Sequence, residues 1–320
     1  MLADELDYVV GVDTHRDQHV LAVVAAPTGA LIAQRSVAAN AQGYAEAIRF
    51  AERHAPGARV WAVEGAGHYG AGLTRCLSAR GEVVHESGRT ASPRSGQRQE
   101  ALRVLLLTRR SAVDVRRVAL VQLRSVIVTA PDDLRDELRR LPLGELLRRC
   151  SRFRRSSSRT PDQLATILAL RSLAQRIQTA THEADVLERE ILAHVRALAP
   201  DLLAEPGIGP IVAAQLIVTW SHHGRVSSEA AFARLAGVAP LPASSGLTTR
   251  HRLSRGGDRQ LNRALHTVIL HRRQHDQATK DYIARRVAEG KTTRDAVRLL
   301  KRYLARHLYR VMQNTTPLTT

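Results

Sequence analysis

The stretch VVGVDTHRDQHVLAVV, residues 9–24, sets an acid, Asp13, where one apolar run ends, and a second apolar run begins at Val20. Short runs rich in β-branched residues and alternating in polarity pack as strands. Working outward, YVVGVD and HVLAVVA are followed by ALIAQRSVA across the turn signal Pro27-Thr28-Gly29, which reads as an antiparallel meander. A helix over Tyr44–His54 leads to RVWAVEG, an apolar strand that stops at Glu64 ahead of Gly65 and Gly67. A helix from about Gly70 to Ala79 and a short strand, EVVHE, complete this segment.

Three paired strands, a helix, a strand closing on an acid, a helix and another strand form the element order of a ribonuclease H or RuvC-like nuclease fold, in the α+β class. In that arrangement the acids of the first and fourth strands meet, and sites of this kind hold two divalent metals about 4 Å apart. Asp13 and Glu64 are therefore candidate metal ligands and catalytic acids. Asp13 alone also reads as a turn acid accepting a backbone N–H. A second acid directly at the end of an apolar strand favours the shared site. His15 and His19 are four apart, but across a turn and strand start rather than on one helix face, so they read as polar neighbours of the site and not as a metal pair.

At 320 residues the chain exceeds what one core usually serves, so more than one domain is expected. Its formal charge of +18 comes from 48 Lys+Arg against 30 Asp+Glu, and Lys280, Lys291 and Lys301 are the lysines. The positive charge is thus almost all guanidinium, the group shaped for bidentate phosphate contacts, and nucleic acid is the expected partner. A basic membrane-surface protein is the competing reading. The sequence shows no amphipathic terminus, signal peptide or apolar run of spanning length, and a cytosolic protein is expected. Cys76 and Cys150 are too few for a disulfide framework or a thiolate zinc site and read as small apolar groups.

From Gln99 to Thr129 apolar residues recur at three and four spacing, and Pro131 ends this helix before a second one, DDLRDELRRL. The tract RRCSRFRRSSSRTPD has no periodicity and reads as an exposed loop, either a nucleic-acid backbone contact or a solvated linker. Residues 162–198 form a long helix with an apolar seam, suited to antiparallel pairing with the 99–129 helix or to a contact between copies. Further on, EPGIGPIVAAQLIVTW sets Gly207 and Gly209 in a hairpin ahead of an apolar helix, in the form of a helix-hairpin-helix element whose N–H groups can hold a phosphate; a plain interhelical turn is the alternative. Ser244 and Ser245 precede Gly246, and Arg250, Arg252, Arg255, Arg259 and Arg263 follow. Guanidiniums neutralise a phosphodiester and stabilise the charge that builds as a hydroxyl attacks phosphorus. The bland reading is a polar loop before a DNA-binding helix. These features divide the chain into an RNase H-like segment at 1–98, a helical or coiled-coil-like connector at 99–200 and a mainly α segment at 201–320.

Taken together, VGVDTHRDQHV, AVEGAGHYG, PGIGP, LAGVAP, SSG and RLSRGGDRQLNRALH resemble the insertion sequence 110 family of transposases, in order along nearly the whole chain. The resemblance implies a DNA recombinase with a RuvC-like DEDD domain that binds Mg²⁺ and a carboxy-terminal domain whose serine attacks DNA. It also implies a homo-oligomer, a dimer or tetramer, working with a noncoding RNA of the element on DNA in the bacterial cytoplasm, associated with the nucleoid. By position, Asp13 and Glu64 match the first two acids, and Ser245, directly before Gly246, matches the nucleophile, with Ser244 its neighbour.

The family carries a DxxDA helix after the strand matching EVVHE, whereas here EVVHESGRTASPRSGQRQEALRVL passes almost directly into the basic helix. Asp133 and Asp136 form a DxxD, but after Pro131, where they read as solvated surface; Asp114 reads as an ion-pair partner among arginines. Three functions follow. One is a transposase whose metal site another acid completes. A second is a catalytically decayed copy that binds nucleic acid or an intact partner without cutting. The third is a RuvC-type junction nuclease, which has no need of the serine segment.

Overall fold

The computed structural model describes residues 6–86, 92–154, 159–242, 251–252 and 256–314, with the backbone alone at 241–242 and 251–252. Alternating apolar residues build the predicted meander: β1 (Tyr8–Thr14), β2 (Gln18–Ala25) and β3 (Leu31–Ala38) pair antiparallel. After α1 (Ala41–His54), β4 (Arg59–Val63) joins β1 in parallel, and after α2 (Ala71–Ser78), β5 (Val84–Glu86) joins β4 in parallel. The five-stranded order is β3-β2-β1-β4-β5. Val10, Val12, Leu21, Val23 and Trp61 of the sheet bury against Ile48 and Phe50 of α1 and Leu73 and Leu77 of α2. Asn40 caps α1, its side-chain oxygen accepting the Gly43 N–H at 2.9 Å.

A polar clasp holds the strand that carries Glu64. Glu82 accepts from Arg59 Nε at 3.1 Å and from the Trp61 indole N–H at 2.9 Å, while the same guanidinium donates to the Ala55 carbonyl at 3.0 Å. The Arg59 and Glu82 side chains are only 15% and 14% exposed, so the pair is largely out of water. Arg59, first by hydrogen bonding and despite the opposing effect of burial, holds the Glu82 carboxyl below its ordinary range.

The helical middle comprises α3 (Gln97–Val128), α4 (Asp132–Leu138), α5 (Leu143–Ser151), α6 (Pro161–Leu198), α7 (Asp201–Ala204) and α8 (Pro210–Trp220). Leu123 and Ile127 of α3 share a core with Ile167, Leu170 and Ile177 of α6, and Arg109 of α3 meets Glu188 of α6 at 2.6 Å. These pairings run in opposite directions along the two helices, which therefore lie antiparallel. The Ser/Arg tract is only partly a loop. Its first residues belong to α5, where Cys150 and Phe153 just beyond it enter the same core, because two apolar side chains among arginines suffice to anchor one helical turn. Burial pushes the Cys150 thiol up to about 11, as suits an inert packed group.

The carboxy-terminal elements are α9 (Glu229–Leu235), a two-stranded ribbon of β6 (Leu241–Pro242) and β7 (His251–Arg252), α10 (Arg259–His275), α11 (Gln277–Ala288) and α12 (Thr293–Asn314). Within RLSRGGDRQLNRALH, α10 opens at Arg259, capped by Asp258, whose carboxylate accepts the Gln260 and Leu261 N–H groups at 2.8 and 3.0 Å. By contact density the described chain forms two compact units, one built from residues up to Gln99 together with those from Val218 onward, the other Glu100–Ile217. Among the described residues no helix is long and apolar enough to cross a membrane.

Candidate functional site

The parallel register of β1 and β4 sets Val12 against Val63. The next ladder bond, from the Glu64 N–H to the Val12 carbonyl at 2.9 Å, carries the pairing one step further. Asp13 and Glu64 therefore stand side by side at the carboxyl ends of adjoining strands, about 4.8 Å apart along the hydrogen-bonding direction. Thr14 fixes this edge by donating its hydroxyl to the Glu64 carbonyl at 2.8 Å. Gly65 then takes φ +58°, a left-handed turn that an L side chain resists, and this sharp exit leaves Glu64 at the strand tip. The Asp13 side chain is 58% exposed and receives His15 Nε2 at 3.4 Å.

His15 is thus a neighbour of the acid pair. His19 is not: it is fully buried, with its ring stacked on Tyr44 at 5.9 Å, so the expectation for it is corrected. It is level with Thr14 on the neighbouring strand, and burial holds its imidazole below the usual histidine range. Arg94, unforeseen from sequence, also approaches this edge: a Cβ on Gly67 would fall 2.6 Å from its guanidinium. Its segment is anchored, since Ser95 exchanges two 3.0 Å hydrogen bonds with the Ser221 hydroxyl.

Glu86 is level with Val63, one residue short of Glu64, and the pleat turns successive residues to opposite faces. Asp114 lies on α3, 3.6 Å from Arg117, and Asp136 lies 3.3 Å from Arg139. Among the described residues no group of three or more His, Cys, Asp or Glu could hold a metal ion. Two carboxylates do not satisfy a pair of magnesium ions. They do suit a single ion that keeps most of its waters, because magnesium is commonly held by one or two carboxylates together with substrate phosphate.

In the carboxy-terminal part, Ser244, Ser245 and Arg250, and also Arg255, lie outside the described residues, and Arg252 is placed by its backbone, opposite Leu241. Arg259 and Arg263 are exposed on α10. The residues around them build the scaffold. Gly257 packs so closely on the α9 exit that a Cβ there would lie 2.4 Å from Gly237 Cα, and the next N–H, of Asp258, donates to the Leu235 carbonyl at 2.7 Å. Asn262 donates to the Ala236 carbonyl at 2.8 Å and accepts from Lys301 of α12 at 2.8 Å. The sequence signal for Lys301 was its being one of three lysines in an arginine-dominated chain; a buried point charge with one amide partner suits an ammonium and not a planar fork.

In the other compact unit, Gly207 takes φ +78° in the turn between α7 and α8, and the Ala213 N–H bonds the Gly209 carbonyl at 3.0 Å as α8 begins. The helix before this turn, α7, has four residues.

With the geometry in hand, residues 200–284 match the Transposase IS116/IS110/IS902 family. The chain is also 33% identical over 148 residues to an insertion element IS110 protein of Streptomyces coelicolor, described as an uncharacterized 43.6 kDa protein. That match covers 45% of this chain and 36% of the relative, so the matched region spans about a third of the curated relative's length.

Proposed function

We propose that the protein is a DNA transposase of an insertion element, acting through Ser245 with Asp13 and Glu64 as a second acidic site. The match of residues 200–284 to a transposase family carries this reading, because that segment contains the serines and the arginines at 250–263. The order of the five-stranded sheet and the two acids at adjoining strand ends support a RuvC-like, RNase H-type amino-terminal domain. The Gly207–Gly209 turn ahead of α8 supports a phosphate-binding hairpin, and the antiparallel α3–α6 pair a coiled-coil-like connector within a domain plan of 1–98, 99–200 and 201–320.

In this reading the Ser245 oxygen forms a bond to a DNA phosphorus and displaces a deoxyribose oxygen, which takes up the hydroxyl proton. Arg250, Arg252, Arg255, Arg259 and Arg263 offset the phosphate charge. Asp13 and Glu64 would hold magnesium, which would supply Lewis-acid stabilisation of the phosphate. A noncoding RNA supplies sequence choice, and the working form is a dimer or tetramer. The two-acid edge favours a second reading, a copy that binds nucleic acid or an intact partner without cutting.

The test is a denaturing-gel assay for a protein–DNA adduct on labelled element ends with the element's RNA. Wild type and Ser244→Ala should form the adduct, and Ser245→Ala should lose it while still binding DNA. The reverse ranking moves the nucleophile by one residue, and no adduct from wild type selects the non-cutting reading.

A further inference from the structure

Arg259 and Arg263 are the start of a longer row. With His266, Leu270 and Arg273 they recur at spacings of four and three along α10, so all five share one face, and all five are exposed. From Arg259 to Arg273 this face runs about 21 Å. Its far end opens into a cleft of about 570 Å³ between α10 and α12, whose apolar lining is Leu270 and Val297. The α12 wall adds Arg294, Arg298 and Lys301, again at four and three spacing, and no carboxylate lines the cleft.

The charges here are poorly offset. Arg298 is held by Asp295 at 3.2 Å and Lys301 by the neutral Asn262, while Arg273 and Arg294 form no ion pair among the described residues. The cations repel one another. Burial first, then Arg298, holds the Lys301 ammonium below its ordinary range, and burial with Lys301 does the same to His266. An anion seated between the helices relieves that repulsion.

We infer that the α10–α12 cleft is a phosphate-binding site for a nucleic-acid backbone, continuing the Arg259–Arg263 row and using Arg273 and Arg294 as its two direct contacts. The inference rests on the nucleic-acid-binding reading above. Arg273 and Arg294 sit on opposite walls, so one phosphodiester between them meets a guanidinium from each side. The row is sequence-neutral, since backbone contacts fix register and carry no base information.

The experiment is a salt titration of fluorescence anisotropy with two probes of random sequence, a duplex DNA and a single-stranded RNA, on the full chain. Wild type is compared with Arg273→Gln/Arg294→Gln, with the charge-keeping Arg273→Lys/Arg294→Lys, and with Arg171→Gln/Arg189→Gln, which removes equal charge from exposed positions of α6. Losing two phosphate contacts should flatten the log K against log salt slope by about 1.8 on duplex DNA or about 1.4 on single-stranded RNA. The probe that shows this change identifies the occupant, the lysine pair should keep most of the slope, and the α6 pair should leave it unchanged. Wild-type slope in the glutamine pair on both probes, or an equal loss in the α6 pair, overturns the site while leaving nucleic-acid binding intact. Failure of wild type to bind either probe overturns both.

Discussion

At the scale of single residues, Glu82 shows how one carboxylate holds the strand on which Glu64 sits. It accepts from Arg59 and from the Trp61 indole, and Trp61 is fully buried, so removing the charge leaves two donors of β4 poorly satisfied. Glu82→Gln should cost about 1.5–3 kcal/mol in urea unfolding, the range for hydrogen bonds to a charged group. The pH dependence has a definite sign. Because the folded carboxyl lies below the ordinary glutamate range, its contribution is present above that range and is lost as pH falls through the lower folded value. Wild type should therefore lose stability faster than Glu82→Gln below pH about 4.5, and parallel acid curves for the two proteins would remove Glu82 from this role.

At the scale of elements, the α9–α10 junction is set by backbone proximity. A Cβ on Gly257 would meet the backbone of Gly237 at 2.4 Å, whereas Gly256 has open space around its Cβ position. Overpacking against backbone typically costs about 1–3 kcal/mol. Gly257→Ala should lower the melting temperature by several degrees, at about 2–4 °C for each kcal/mol in a domain of this size, while adjacent Gly256→Ala should not. Equal melting shifts would mean that the junction yields freely. Why such features escaped the sequence is also clear at this scale. β1 to β5 were legible because alternation of Val10, Val12, Leu21 and Val23 encodes a face directly, and Asp13 and Glu64 because each ends such a run. The Gly237–Gly257 contact, the Asn262–Lys301 bond and the approach of Arg94 to Gly67 join residues 20 or more positions apart, where no local period records the pairing. The burial of His19 was hidden for a related reason: its partner ring, Tyr44, lies on α1, beyond the strand pattern that placed it. α5 went unread because its second half runs into the arginine- and serine-rich tract, where Cys150 stands beside Arg148 and Arg149, although Leu146 and Cys150 fill the core.

At the scale of the molecule, the formal charge of +18 governs what the acid edge can do. A pair of divalent ions would bring four positive charges against the two carboxylates of Asp13 and Glu64, and Arg94 adds another beside the following turn. In the proposed reading, substrate phosphate would therefore supply most of the compensating charge, and Asp13 and Glu64 would hold at most one magnesium ion. Magnesium binding without DNA should be weak by isothermal titration, and without the element's RNA the chain should cut labelled duplex little or not at all in magnesium buffer. Inserting, after residue 86, a helix with two acids in the DxxDA pattern should raise metal affinity and cleavage together, because it adds two carboxylates beyond the strand that neighbours β4. Strong magnesium-dependent cleavage by the unmodified chain, abolished by Asp13→Ala, would instead require a further ligand. Glu86, level with Val63 on β5, and Asp114 would be the first to search.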